Sequence, residues 1–200
     1  MSAVKTVKRR QTNRREILLE AAARRFVEDG YAAASMRDIA HDAGMQPGSI
    51  YYHFASKEEL LVAVHEDGMR LITDTVLATL ARAEAKSPWD RLEAACIAHL
   101  QVLLEGGERI KAVMRNVPLK SHPSRDHITQ MRDEYEAIFA ALLGELALPE
   151  GSDLHALRLL LLGAMNWSFT WYREGAQTPA DIARKFISML RGQLDSGARK

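Results

Sequence analysis

Cysteine is nearly absent: Cys96 is the only one in 200 residues. A single thiol closes no internal disulfide and builds no cysteine zinc site. That excludes a secreted disulfide scaffold and a cysteine-type zinc finger. Long apolar runs are missing too. The longest uncharged and mostly apolar stretch, Leu159 to Tyr172, has 14 residues and contains Asn166, whereas a membrane span needs about 20. The opening residues, Met1 to Glu16, are basic and lack an apolar centre, so no secretory leader is expected and the expected location is cytoplasmic. Sustained alternation of β-branched residues is lacking, which argues against sheet. His-Glu-x-x-His, Gly-x-Ser-x-Gly and phosphate-loop signatures do not occur. His122, Asp126 and His127 lie close in sequence, but in a proline-flanked loop with no nucleophile arrangement. No catalytic residue, metal or cofactor is therefore expected.

The hydrophobic share, 47%, beside 26% charged residues suits a folded globular chain and argues against wholesale disorder. Net charge is only +1, but it is unevenly placed. Residues 1–25 carry a net +6, through Lys5, Lys8, Arg9, Arg10 and four further arginines, and the remaining 175 residues carry −5. A basic N-terminal arm on a mildly acidic body points to a polyanion at the N-terminus; the competing reading is a solvated leader.

Glycine and proline fall between runs of helical periodicity, so the expected fold is all-α. Nine helices are expected. The first runs from about Asn13 to Glu28, with Asn13 and Glu16 as a capping pair. Short ones follow at Met36 to Ala43, with Ser35 as cap, and at Pro47 to Phe54. A long fourth helix starts after Ser56, with Glu59 as its box partner, and reaches about Ala83. The others span about Pro88–Leu104, Glu108–Arg115, Arg125–Leu146, Asp153–Tyr172 (capped by Ser152) and Pro179–Leu194. Four segments result: a flexible basic arm (1–12), a first helical domain (13–56), a larger helical domain (57–195) and a frayed tail (196–200).

Two short helices around Gly44 inside a three-helix unit form a helix-turn-helix arrangement. Ile39 and Ala40 turn inward, and Ile50 and Phe54 anchor the third helix from below. That leaves Pro47, Gly48, Ser49, Tyr51, Tyr52 and His53 at the outer face or its margins. A helix with hydroxyls and aromatics but almost no charge suits a major groove, where small residues permit close approach and hydroxyls reach phosphates or base edges.

The run Ser35-Met36-Arg37-Asp38-Ile39-Ala40, then Ala43-Gly44-Met45-Gln46-Pro47-Gly48-Ser49-Ile50-Tyr51-Tyr52-His53-Phe54, then Ser56-Lys57-Glu58-Glu59-Leu60-Leu61 closely resembles the DNA-binding domain of TetR-family transcriptional regulators. The resemblance covers roughly residues 13–65. It implies a homodimeric regulator, usually a repressor, whose N-terminal helices bind a palindromic double-stranded DNA operator and whose C-terminal helices bind a small effector. Carried onto this chain, it implies DNA contacts from Ser35, Arg37, Gln46, Pro47, Gly48, Ser49, Tyr51, Tyr52, His53 and Lys57. Ser35 and Ser49 have a competing role as local caps. Lys57, at a helix N-terminus, is expected to meet phosphate, and Lys8, Arg9 and Arg10 a neighbouring minor groove. Two positions depart from the family pattern. Gln46 stands where a small capping residue is common, and Pro47 where a polar or basic one is. Specificity is therefore expected to lean on Arg37, Gln46 and Tyr51.

The eighth helix is apolar nearly all round, and such a helix is buried on two sides. With the ninth it is expected to build a dimer interface through Leu157, Leu161, Phe186, Met189 and Leu190. Trp167 and Trp171, four apart, either pack there or line an effector cavity. The other candidates for that cavity are His99, Met114, Arg115, Met131, Tyr135, Met165 and Asn166. His99 has the competing role of a satisfied core histidine. The stretch from Asn166 to Arg173, with Gly175, is similar to one in TetR-family regulators of fatty-acid and steroid catabolism, some of which respond to acyl-CoA thioesters. The expected effector is small and mainly hydrophobic. The alternatives are a DNA-binding regulator without effector, or a helical enzyme or scaffold.

Overall fold

The structure is a computed structural model. It describes the backbone of residues 2–84, 87–115 and 124–197, and the side chains of 14–84, 87–115 and 125–194. Among the described residues every regular element is a helix: α1 (Ser2–Glu28), α2 (Met36–Asp42), a 3-10 helix (Pro47–Tyr52), α3 (Lys57–Arg82), α4 (Pro88–Glu105), α5 (Gly107–Met114), α6 (Ser124–Gly144), α7 (Leu154–Trp171) and α8 (Pro179–Gly197). No described helix is long and apolar enough to cross a membrane. The chain forms two compact units, Met1–Gly68 with Gly107–Ile128, and Met69–Gly106 with Thr129–Lys200.

The first unit closes around Leu18, Leu19, Ala22 and Phe26 of α1, Ile39 and Ala40 of α2, Ile50 and Phe54 of the reading segment, and Leu60, Leu61 and Val64 of α3. These residues recur at helical spacing on one face of each element, so a single core follows from the pattern. Ser35 caps α2 by accepting from the Asp38 amide at 3.1 Å. Gly44, at φ +65°, ends it in a Schellman turn. The Gly44 amide donates to His41 O at 2.9 Å and the Met45 amide to Ala40 O at 2.8 Å. Only glycine takes that backbone conformation at little cost, and it turns the chain directly into the next helix. Ser56 accepts from the Glu59 amide at 3.1 Å at the start of α3, and Glu59 accepts in return from the Ala55 amide.

α5 packs on α1 and also meets α3, so it joins the first unit although it lies far along the chain. A Cβ on Gly68 would stand 2.6 Å from Val113 Cγ2, so the two helices cross there at a distance only glycine permits. Arg109 of α5 fastens the crossing: its Nε donates to Glu20 at 2.8 Å and its Nη1 to Asp67 at 2.5 Å.

In the second unit α4 packs against α7 and α8. Its core holds Leu92, Leu100, Leu103, Phe139, Leu143, Met165, Ile182 and Ile187. Thr178 and Asp181 form a reciprocal capping box at the start of α8.

Four boundaries differ from the expected ones. α1 begins at Ser2, not Asn13, so the segment 1–12 expected as a flexible arm is helical from Ser2. It contains no Gly or Pro, and its Lys, Arg, Gln and Ala cost little in a helix. The side chains of Lys8, Arg9 and Arg10 lie outside the described residues. The third helix is a 3-10 helix that stops at Tyr52; the Ser49 amide reaches back to Gln46 O and the His53 amide to Ile50 O, the tighter winding used in short pieces. Asp153, not Ser152, caps α7 by accepting from the Ala156 amide, because the Ser152 hydroxyl turns back to Pro149 O. α8 continues to Gly197, beyond the expected end near Leu194. Residues 198–200 lie outside the described ones, as does His122.

Candidate nucleic-acid interface

The helix-turn-helix is braced from behind by charged groups that are fully engaged. Arg25 of α1 grips Asp42 of α2 through two bonds, Nε to Oδ2 at 2.5 Å and Nη2 to Oδ1 at 2.9 Å. The same pair holds the Asp42 carboxyl below the usual carboxylate range, as a bidentate guanidinium does. Arg115 donates to Val27 O at the end of α1, supplying a carbonyl that the helix itself leaves unpaired. The Tyr31 hydroxyl donates to Glu58 at 2.8 Å, and burial together with that carboxylate raises the phenol's pKa.

Lys57 corrects an expectation. Its ammonium donates to three backbone oxygens of the preceding loop, Tyr31 O at 2.8 Å, Ala34 O at 2.9 Å and Ala32 O at 3.2 Å. It also sits 4.6 Å from the centre of the Tyr31 ring. An ammonium has three protons, and here all three have acceptors. Lys57 therefore locks the loop between α1 and α2 instead of reaching outward for phosphate.

The outward surface is built differently. Arg37, Gln46, Pro47 and Gly48 are exposed, as are Tyr51 at 59% and Tyr52 at 91%; His53 and Ser49 are half-buried. Arg37, Gln46, Tyr51, Tyr52 and His53 make no side-chain hydrogen bond among the described residues. Gln46 occupies the N-cap of the 3-10 helix without capping it, so its amide stays available. Ser35 is spent locally, since its hydroxyl also donates to Asp38 at 2.6 Å. Arg15 of α1 lies over the Phe54 ring at 5.3 Å and stays exposed, a cation beside the reading segment that the sequence pattern did not single out.

The residues expected around an effector separate. Met114 and Arg115 belong to the first unit, where Arg115 serves α1. In the second unit His99 Nδ1 and the Tyr135 hydroxyl stand 2.6 Å apart, with Phe139 edge-on to both rings. Met165 is fully buried, and Asn166 and Met131 are half-buried. Burial pushes His99 down to about 4, the Asn166 side chain opposing part of that shift. Trp167 and Trp171 do not line this interior: Trp167 is 67% exposed. α7 turns Leu161, Leu162, Met165 and Ser168 inward and leaves Leu160, Trp167 and Trp171 outside. Within one chain it is therefore buried on one side only, because its partner helices α4 and α8 cover a single face.

The expected dimer residues divide the same way. Leu161 is buried in its own chain and unavailable to a second copy. Leu157, Phe186 and Leu190 are half-buried, and Met189 is 63% exposed. Leu160, missed in the sequence, lies one and two turns of spacing from Trp167 and Trp171 on the exposed stripe. That seven- and eleven-residue interval was the signal. Among the described residues no cluster of metal-ligating side chains occurs.

A short helix pair turned at a glycine, braced internally and presenting unpaired arginine, amide and phenol groups, defines a helix-turn-helix DNA-binding protein. Comparison with known proteins agrees. The family described as bacterial regulatory proteins, tetR family, matches residues 18–64, and the tetracyclin repressor-like C-terminal domain matches residues 85–194. The chain belongs to the TetR family of transcriptional regulators. The HTH-type transcriptional repressor KstR2 of Mycobacterium tuberculosis is 29% identical over 198 residues, covering 91% of this chain and 93% of that protein. The crystal structure of AibR in complex with isovaleryl coenzyme A and operator DNA superposes with a TM-score of 0.77 at 24% identity, over 88% of this chain and 97% of that one. The structure of a protein described as superantigen pfit has a TM-score of 0.74 at 33% identity, over 88% and 87%. Likeness of fold spans different names, so function is argued from the site.

Proposed function

We propose that this chain is a homodimeric repressor that binds a palindromic operator and leaves it when a small hydrophobic effector binds. The observation that carries the DNA reading is the division of polar groups on the first unit. Arg25, Lys57, Arg109 and Arg115 end on acceptors of the same unit, while Arg37, Gln46, Tyr51 and Tyr52 face outward without partners. In this reading residues 13–56 hold the reading head and 57–195 the effector and dimer functions. Arg37, Gln46 and Tyr51 read bases, and Ser49, Tyr52, His53 and the close approach at Pro47-Gly48 set the fit to the backbone.

The exposed apolar stripe of α7, Leu160, Trp167 and Trp171, with Met189 of α8, supports a second copy of the chain as its cover. The enclosed aromatic and polar group of α4, α6 and α7 supports an effector site, and AibR, which shares the fold, is seen with an acyl-CoA. α3 carries the reading head and runs on past Gly68. α6 carries both His127, bonded to Glu66 at 2.8 Å, and Tyr135. A ligand that binds two arrangements of these helices unequally shifts the population between them and changes the spacing of the heads.

The test is release of labelled operator DNA by a panel of fatty acyl-CoAs, free fatty acids, aromatic compounds and sugars. Release by an acyl-CoA or another apolar molecule is the expected result. Release by sugars alone, or by nothing, contradicts the effector reading while leaving the DNA reading intact.

A further inference from the structure

We infer that His99 Nε2–H is the recognition point for an uncharged oxygen acceptor, a keto, ester or thioester carbonyl, carried by the apolar effector. This rests on the effector reading above and specifies its chemistry. His99 is enclosed on α4, and its Nδ1 meets the hydroxyl of Tyr135 on α6 at 2.6 Å. Among the described residues that hydroxyl has no other partner. If Nδ1 carried the ring proton, the buried phenol proton would have no acceptor. The arrangement that satisfies both groups has the Tyr135 hydroxyl donating to Nδ1, which puts the ring proton on Nε2. Burial keeps the phenol protonated, so the donor is permanent near neutral pH.

Nε2 is buried and no group completes a hydrogen bond to it. An unpaired buried donor is costly, and a protein keeps one where a ligand supplies the missing partner. The missing partner is an acceptor, and it is uncharged for two reasons. His99 stays neutral, its pKa pushed down to about 4, so it offers a dipole and no positive charge. The surrounding charges are acidic or already paired: Glu93 acts on the neighbouring Cys96 thiol, and Arg158 is bound to Glu136 at 3.3 Å. A carboxylate drawn into this interior would lose its water with no cation to replace it.

Calorimetric titration of the full chain with chain-matched probes tests this: 2-decanone, methyl decanoate and decanoate, each followed by an operator-release assay. Wild type is expected to bind the ketone and the ester about tenfold or more tightly than the carboxylate. His99→Leu should abolish that preference. Tyr135→Phe keeps the imidazole but frees its proton to move to Nδ1, so it should reduce the preference while melting near the wild-type temperature. It carries the test if His99→Leu fails to fold. Equal or tighter binding of decanoate by wild type overturns the inference, as does a preference unchanged in Tyr135→Phe, or no binding of any probe. Selective ketone binding without operator release supports it and overturns the effector reading instead.

Discussion

Arg25, Lys57, Arg109 and Arg115 of the first unit all end on acceptors within that unit, whereas in the second unit His99 keeps a buried nitrogen without one and α7 carries Leu160 and Trp167 into the open. The first unit is finished inside and unfinished only on the face that reads DNA. The second is unfinished both inside and out. The difference teaches where partners belong, because a polar atom without a bond and an apolar stripe without a cover each cost free energy that a bound molecule returns.

Breaking the finished interior should have the largest effect. Phe54→Ala removes a buried anchor of the reading segment and is expected to cost about 3–5 kcal/mol, abolishing operator binding through unfolding, as chemical denaturation will report. Tyr52→Ala, at the exposed surface, should change stability by less than about 0.5 kcal/mol while weakening the operator complex. A similar loss of stability for both would erase the distinction between interior and reading face. Next comes the uncovered stripe. Trp167→Asp places a charge in the proposed contact, worth about 3–5 kcal/mol of association energy, and sedimentation should show monomers of normal helicity. An unaltered dimer would move the interface elsewhere.

His99 gives a pH test of comparable size. Its folded pKa is about 4 and its ordinary value about 6.5, so the unfolded chain takes up the proton first as pH falls. The stabilising contribution is therefore complete above about pH 6.5 and is lost progressively towards pH 4, about 3 kcal/mol in all. His99→Leu should flatten the stability profile across that window. His65, also buried and lowered by burial, leaves a residual slope of the same sign. The smallest effects separate Lys57 from Arg37. Lys57→Met removes three bonds to the loop and should cost about 1–3 kcal/mol of stability, lowering affinity for every DNA sequence alike. Arg37→Ala should leave stability unchanged and cost about 1–3 kcal/mol at one base pair in each half-site.

The first unit was largely legible in the sequence. Ser35, Gly44, Pro47 and Ser56 act through bonds to residues two to five positions away, and such local chemistry is written in local spacing. Lys57 was misassigned because its acceptors lie 23 to 26 residues back along the chain, a distance spacing alone does not reveal. The second unit was legible in its helices but not in their faces. α7 is apolar on both sides, so Leu161 and Trp167 read alike, and only the packing of α4 and α8 shows that Leu161 is inside and Trp167 outside. His99, Tyr135 and Asn166 come together from three helices; Met114 and Arg115 do not, because α5 belongs with α1.

Selection of binding sites from random double-stranded DNA, with wild type and Arg37→Ala in parallel at low salt, tests the central claim most directly. Wild type should enrich an inverted repeat, and Arg37→Ala the same repeat with its preference lost at one base pair per half. Enrichment of no inverted repeat by wild type, or an identical preference in Arg37→Ala, would contradict the assignment of the outward face as the part that reads DNA.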